Sequence, residues 1–466
     1  MFKKLVAILS VVLVASMILG ACTTPTPQVI KETVVVKEEV EKTVVVKEEV
    51  EKTVVVKEEV EKTVEVPAER TKVVFWHIFG SGPSRDAFDQ IVSDFNLTNP
   101  KYIVEPVYAE FWTYEQKLLA DIAAGTPPDV VMTDMTRAGQ RAEANQILPL
   151  DEYINADKFD MSVFWEYGQK DVVYKGQTWG IPYGPDTRVL FYNKAHFAEV
   201  GLDPNKPPTT WDELWEYAHK LDIGEGADLK RVGFNPWWGN SWVLPLLYTT
   251  GVELVNPEGP TFNFTDPKVL ETAQWYKKWV DYYGKENLDL FASGFGTGAQ
   301  DPFMSGQVSM IIQVQAYIDD LLTYAPDLDW GVALIPAHTT PASWGAGFDL
   351  EIPNGAKNPD GAWEFIKYLT SYDVAVKFSA ASGWMPGRKD AAADPQFMSK
   401  PGWDVVLQSM AVTRSRPFIL ECPTWYGPLI TAFQEVWDGV KTPEQALADA
   451  VAAAETEVAN YRAQTK

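Results

Sequence analysis

The chain has 466 residues, with 64 acidic against 40 basic side chains and a formal net charge of −24. That balance argues against nucleic acid as a partner, because phosphate contacts need clustered Lys and Arg, and it suits a soluble exported protein. Only two cysteines are present, Cys22 and Cys422, which excludes a scaffold built on disulfides.

Lys3 and Lys4 precede an apolar or small run from Leu5 to Leu19, broken only by Ser10 and Ser16. Gly20 and Ala21 follow. This is the layout of a secretory signal; a membrane-spanning helix needs about 20 apolar residues, and the run is shorter. Leu19-Gly20-Ala21-Cys22 resembles the bacterial lipobox. The resemblance implies that residues 1–21 are removed and that Cys22 carries lipid. The protein is then anchored on the extracytoplasmic face of the bacterial cell membrane through buried methylene groups. Plain secretory cleavage near Ala21 is the competing reading. With Cys22 acylated, Cys422 has no intrachain partner and reads as a small buried hydrophobe.

A phrase, TVVVKEEVEK, begins at Thr33, Thr43 and Thr53, and Thr63 opens an incomplete fourth copy. Ten residues at 3.6 per turn make a helical stripe walk by roughly 80° per repeat, so no coiled-coil seam forms. Ten is even, so a strand keeps Val34, Val36 and Val40 on one face, and Val-Val-Val favours extended backbone. Residues 22–71 therefore read as an anchored stalk, extended or fluctuating, with self-association as the weaker alternative, and residues 23–71 reach at most about 160 Å at ~3.3 Å per residue.

From Lys72 the chain is too long for one compact core, and two domains are expected. TKVVFWHIF is a strand followed by the loop GSGPSRD, and Ala87 to Leu97 is a helix. YIVEPVYA is a strand; Tyr114 to Ala124 has helical spacing and stops at Gly125. PPDVVMTD, VSMIIQV and WGVALIP are further strands, and TTWDELWEYAHKL is a helix with a Thr N-cap. Asp360 to Ser371 and the stretch TPEQALADAVAAAETEVANYRAQ are helical. Strands alternating with helices imply an α/β fold with a largely parallel sheet.

Neither a G-x-x-x-x-G-K-[ST] loop nor a G-x-S-x-G elbow occurs. His77, His196, His219 and His338 are too scattered for a helical zinc pair, and no two carboxylates stand out as a glycosidase pair. Aromatics are the stronger signal. Several of the 18 tryptophans sit in loop-like phrases: Trp237, Trp238 and Trp242 in NPWWGNSW, Trp344 in PASWGAGFD, Trp384 in ASGWMPGR, and Trp425 beside Tyr426 in ECPTWYGP. Trp76 ends the first strand. Aromatic faces on loops make flat apolar platforms with polar edges, which suit a ligand cleft and the C–H faces of sugars. Helical Trp275 and Trp279 read as core. Polar candidates lie at the same breaks: Asp134 at the carboxyl end of its strand, Asp186 and Arg188 after Pro-Tyr-Gly-Pro, Gln313 and Gln315, and Arg414 and Arg416.

YEQKLLADIAAGTPPDVVMTD, ILPLDEYI, WGIPYGPDTRVLFYNKAHF, PPTTWDELWEYAHKL, FMSGQVSMIIQ and WGVALIP followed by GAGFDLEIPNGAKNPDGAWEFIKYLTS occur in that order. Together they resemble the extracellular solute-binding proteins of family 1, the sugar-type receptors of ABC importers. The resemblance spans roughly Lys72 to Ala459. It implies a two-lobed α/β fold of the periplasmic-binding-protein type II. Residues 72–185 would form the N-terminal lobe, completed by about 345–400, and residues 186–344 the C-terminal lobe, completed by about 401–466. The chain would cross between lobes near Pro182 to Arg188 and return near Pro336 to Phe348. A carbohydrate would bind between the lobes and close them. The implied protein is a monomer that delivers its ligand to ABC permease subunits, with no catalytic residue, cofactor or metal. Trp76, Ser81, Asp134, Asp186, Arg188, Trp238, Trp242, Gln313, Trp344, Gly347, Phe348 and Arg416 are the ligand-binding candidates. The family's Gly-Gly appears here as Gly345-Ala346-Gly347, so a close backbone approach at Ala346 is in doubt. Arg414 or Arg416 falls in a region that meets phosphate in glycerol-phosphate-type members. A receptor for such a polar solute is the alternative within the fold. A secreted carbohydrate-active enzyme or a structural surface protein would be alternatives of other classes.

Overall fold

A computed structural model describes residues 32–46, 52–66, 70–111, 113–256 and 259–465; the signal segment and Cys22 lie outside them. The chain divides into two units, residues 1–71 with 94–103, and residues 72–93 with 104–466.

In the first unit the repeat forms two strands, Glu32–Val46 and Lys52–Val66, paired antiparallel without a break in register. The even period of the repeat makes this register self-consistent. Val34 stands opposite Val64 and Val44 opposite Val54, while Lys37 faces the position of Glu61 and Glu41 that of Lys57.

The second unit is built on two sheets. The larger has five strands in the order Tyr102–Tyr108, Thr71–His77, Val130–Asp134, Gly347–Glu351 and Ile181–Pro185. The smaller has three, Met310–Val314, Arg188–Asn193 and Trp330–Ala333. Every residue of Ile181–Pro185 and of Arg188–Asn193 is buried, the mark of strands covered on both faces. Each sheet has its own aromatic core. Phe75 and Phe365 meet edge to face at 5.1 Å beside the larger. Trp279, fully buried, packs on Phe234 at 5.5 Å beside the smaller. The helix Trp211–Leu221 starts as its sequence anticipates, with Thr210 Oγ1 accepting from Glu213 N at 3.2 Å.

The expected largely parallel sheet needs correction. Val130–Asp134 runs parallel to Thr71–His77, but Gly347–Glu351 is antiparallel to both of its neighbours, and the smaller sheet is antiparallel throughout. The reason lies in the crossings. Val130–Asp134 and Ile181–Pro185 run toward the gap between the sheets, whereas Gly347–Glu351 re-enters the larger sheet from that gap and must run the other way.

Only Asp186 and Thr187 separate the strand of one sheet from the strand of the other. Thr187 is tied down by backbone and side chain. Its N–H donates to Gln315 Oε1 at 2.9 Å, and its buried hydroxyl contacts those of Ser343, Ser409 and Thr413 at 3.1, 2.8 and 2.6 Å. Ser343 lies on the returning chain, so one cluster of hydroxyls fastens the outgoing and returning crossings together.

Candidate functional site

A cavity of about 320 Å³ opens where the two crossings pass. It is lined by aromatic rings and by three carboxylates facing three guanidiniums: Glu115, Asp134 and Asp186, with Arg137, Arg188 and Arg416.

The larger sheet supplies one wall. Asp134 ends its strand, and its Oδ1 accepts from Thr136 N at 3.0 Å and Thr136 Oγ1 at 2.7 Å, which caps the turn Met135–Arg137. Glu115 opens the helix Tyr114–Ala123 and binds Arg137 and, at 3.3 Å, Arg141. Arg141 is buried beneath the wall. It forks onto Glu351 at 2.7 and 2.8 Å and donates to Asp134 O at 2.8 Å, a bidentate geometry that fixes both partners. Asp349, on the same strand as Glu351, is fully buried and its carboxyl oxygens have no hydrogen-bond partner. Burial first, then the neighbouring Glu351, push its carboxyl well above the usual range against the pull of Arg141.

The crossings supply the floor. Asp186 pairs with Arg188, and its Oδ1 also accepts from Ala346 N at 2.7 Å. Arg188 donates to Asn240 Oδ1 at 3.1 and 3.0 Å and lies 3.9 Å over the Trp344 ring. The Gly345-Ala346-Gly347 phrase is explained here. A Cβ at 345 would sit 2.4 Å from Thr413 Cγ2, and one at 347 would sit 2.4 Å from Gly184 O, with φ of 133° besides. Ala346 lines the cavity, and its carbonyl accepts from Tyr167 Oη at 3.2 Å.

The far wall carries Trp242, Tyr426 and Arg416. Trp242 is 45% exposed with φ of 47°, a left-handed conformation that costs a non-glycine residue energy and clusters at functional sites. Tyr276 Oη holds its carbonyl at 3.0 Å. Arg416 lies 4.0 Å over the Tyr426 ring and donates to Thr136 Oγ1 at 3.3 Å. Its Nε is buried without a partner. Beneath it Asp171 accepts from Ser415 Oγ at 2.5 Å through one oxygen, and the other is buried and free. Burial pushes this carboxyl up to about 8, with Ser415 and Arg416 pulling down and Asp134 pushing up.

The cavity thus gathers Asp134, Asp186, Arg188, Trp242, Trp344, Gly347, Phe348 and Arg416 of the sequence candidates. Four lie elsewhere. Trp76 is turned to the helix side of its sheet, under the Lys117 ammonium at 3.6 Å. Ser81 is exposed on its loop. Trp238 packs on Phe291 and Phe295 at 5.8 and 5.0 Å, and Gln313 lines a second cavity. Phe111, Tyr114, Glu115, Arg137 and Tyr426 line the site without having been singled out for it. Of these, only Tyr426 carries the aromatic-loop signal of the sequence. Arg414 instead pairs with Glu253 at 2.6 and 2.7 Å. Cys422 is buried and free, and burial pushes its thiol up to about 12. His77 is buried and stacked on Phe88 at 5.7 Å, and burial pushes its imidazole down to about 4. Among the described residues, no group of three or more His, Cys, Asp and Glu side chains could hold a metal ion, and no helix is long and apolar enough to cross a membrane.

Residues 90–403 match the family described as bacterial extracellular solute-binding protein. The sn-glycerol-3-phosphate-binding periplasmic protein UgpB of Escherichia coli O1:K1 is 27% identical over 408 residues, covering 82% of this chain and 91% of its own. CpMnBP1, solved with mannotriose bound, superposes with a TM-score of 0.74 at 29% identity, over 83% of this chain and 100% of that one. The sugar-binding protein MalE of Xanthomonas citri shares the fold, with a TM-score of 0.74 at 20% identity over 84% of this chain and 98% of its own. With its two sheets, paired crossings and cleft, the chain has the two-lobed type II fold of periplasmic binding proteins, and it belongs to the bacterial extracellular solute-binding proteins.

Proposed function

We propose that the protein is a receptor that binds a neutral carbohydrate in the aromatic cleft and delivers it to ABC permease subunits, acting as a monomer tethered to the membrane through lipid on Cys22. The observation that carries this reading is the lining itself. Phe111, Trp242, Trp344, Phe348 and Tyr426 offer ring faces, and three carboxylates balance three guanidiniums. Rings suit the C–H faces of pyranoses, and a charge-balanced set of acceptors and donors suits hydroxyl groups, which donate and accept at once. Asp134 and Arg416, both on Thr136 Oγ1, would share the two hydroxyls of a vicinal diol.

A glycerol-phosphate receptor is the second reading, favoured by Arg416, the one cleft guanidinium that forms no ion pair among the described residues, and by the likeness to UgpB. Glu115, Asp134 and Asp186 in the same lining oppose a phosphate dianion. An enzyme reading has less support, because each of these carboxylates is already held, by Arg137, Thr136 and Arg188 respectively. The test is thermal denaturation with neutral saccharides and, separately, sn-glycerol 3-phosphate. A ligand that binds the native state raises Tm by mass action. A shift with saccharide supports the proposal, and a shift with the phosphate alone replaces it by the second reading.

A further inference from the structure

The repeat does not fold as a spacer would. Glu32 stands opposite Val66, and Val46 opposite Lys52. The ribbon therefore turns back on itself, and its first and last residues lie about 5 Å apart. An antiparallel ribbon adds almost nothing to the distance between the segments that enter and leave it. It projects instead as a side arm of two strands, each of 15 residues.

Two strands alone make a marginal sheet in water, and stability comes with a third or fourth. Among the described residues no other strand joins the ribbon, so each strand leaves one edge of its backbone unpaired. The first strand, ETVVVKEEVEKTVVV, is complementary to a second copy of itself run antiparallel. Centred on Glu39, such a pair repeats the combinations of the hairpin. Lys37 falls opposite Glu41, as it falls opposite Glu61 within the hairpin, and Val34 falls opposite Val44, as it falls opposite Val64. Glu39 meets its own copy as it meets Glu59. All 15 residues are then covered, Glu32 to Val46. Centred on Val40 instead, Val34, Val35 and Val36 run opposite Val46, Val45 and Val44, and Glu38 falls opposite Lys42. Charges along an edge deter pairing in general. Here they set a lysine against a glutamate on each side of the axis, which admits a second copy and discourages an unrelated strand. The second strand has Lys52 and Glu65 where the first has Glu32 and Val45, so the first presents the more valine-rich edge.

We infer that two copies of the chain pair through their stalks, edge to edge and antiparallel about the middle of Glu32–Val46, to form a four-stranded sheet with two-fold symmetry. With that axis normal to the membrane, the anchors proposed for both copies reach the same bilayer, and confinement there raises their effective concentration. The ligand-binding unit stays a monomer, and the pairing does not depend on what it binds. The test is cross-linking of the full chain in detergent with a short bis-maleimide. Glu39→Cys places a thiol at the axis. Thr33→Cys places one about 40 Å or more from its counterpart in an antiparallel pair, at ~3.3 Å per residue. Wild type sets the background from Cys22 and Cys422, and each variant is checked for an unchanged Tm. Glu39→Cys should give at least tenfold more cross-linked dimer than Thr33→Cys. In sedimentation, wild type should run as a dimer, and the chain lacking residues 33–62 as a monomer. Equal cross-linking at the two positions, no dimer above background at Glu39→Cys, a wild type that is monomeric at every concentration, or a deletion that leaves the dimer intact would overturn the inference.

Discussion

Trp242→Ala separates binding from folding more cleanly than any other change in the cleft. The ring is 45% exposed and lies 6.2 Å from Trp344. A tryptophan offers up to about 250 Å², so roughly 110 Å² of this one is open. A flat sugar ring covering one face takes about half of that, which at ~25 cal/mol per Å² is about 1.4 kcal/mol, or roughly tenfold in Kd. The native state has little to lose, since surface substitutions mostly stay within about 0.5 kcal/mol. Calorimetric titration with the tightest-binding saccharide of a panel is the assay, because it does not depend on the fluorophore being removed. The expected result is a Kd about tenfold weaker at an unchanged Tm. A Kd within twofold of wild type would take Trp242 out of the site.

Gly347→Ala should destabilise the fold by about 2 kcal/mol or more, since its Cβ would meet Gly184 O at 2.4 Å and Pro185 Cα at 2.7 Å at a φ of 133°; an unchanged urea midpoint would mean that the crossing can yield. Asp171, pushed by burial up to about 8, keeps a proton in the folded chain that the unfolded chain gives up near pH 4. Its contribution to stability is therefore full below about pH 4 and lost as pH rises to about 8. Tm of the wild type should fall more steeply between pH 5 and 8 than that of Asp171→Asn, and parallel slopes would refute the shift. Cys22→Ser should move the protein from the membrane fraction to the soluble one, and continued sedimentation with membranes would sink the lipid anchor.

The parts of the site legible in the sequence are those set by local chain logic. Asp134 ends a Val-rich strand after a Pro-Pro turn, and Asp186 and Arg188 sit where Pro-Tyr-Gly-Pro hands one strand to the next. Period-two alternation decides which sheet face a strand residue takes, but not which face borders the cleft, so Trp76 ends under the helix Tyr114–Ala123. Trp238 and Trp242 share one loop phrase, yet one is packed against Phe291 and the other is open; only the tertiary surroundings tell them apart. Glu115 and Arg137 join the site because two helical segments converge on the end of one strand. Strand direction is hidden from the sequence for a similar reason. Alternating strands and helices suggest crossovers within one sheet, and nothing local reveals that Gly347–Glu351 arrives from the other one. In the repeat, the even period pointed to strands, and the hairpin register adds what period alone leaves open.

The most direct measurement is a calorimetric titration of the full chain with mannobiose and mannotriose, with maltose and maltotriose, and with sn-glycerol 3-phosphate, each ligand recovered afterwards for chemical identification. Micromolar binding of a neutral saccharide, recovered unaltered and not displaced by the phosphate, is the expected result. Binding of sn-glycerol 3-phosphate in place of every saccharide would contradict the charge-balanced carbohydrate cleft, and conversion of the saccharide would contradict its assignment as a receptor.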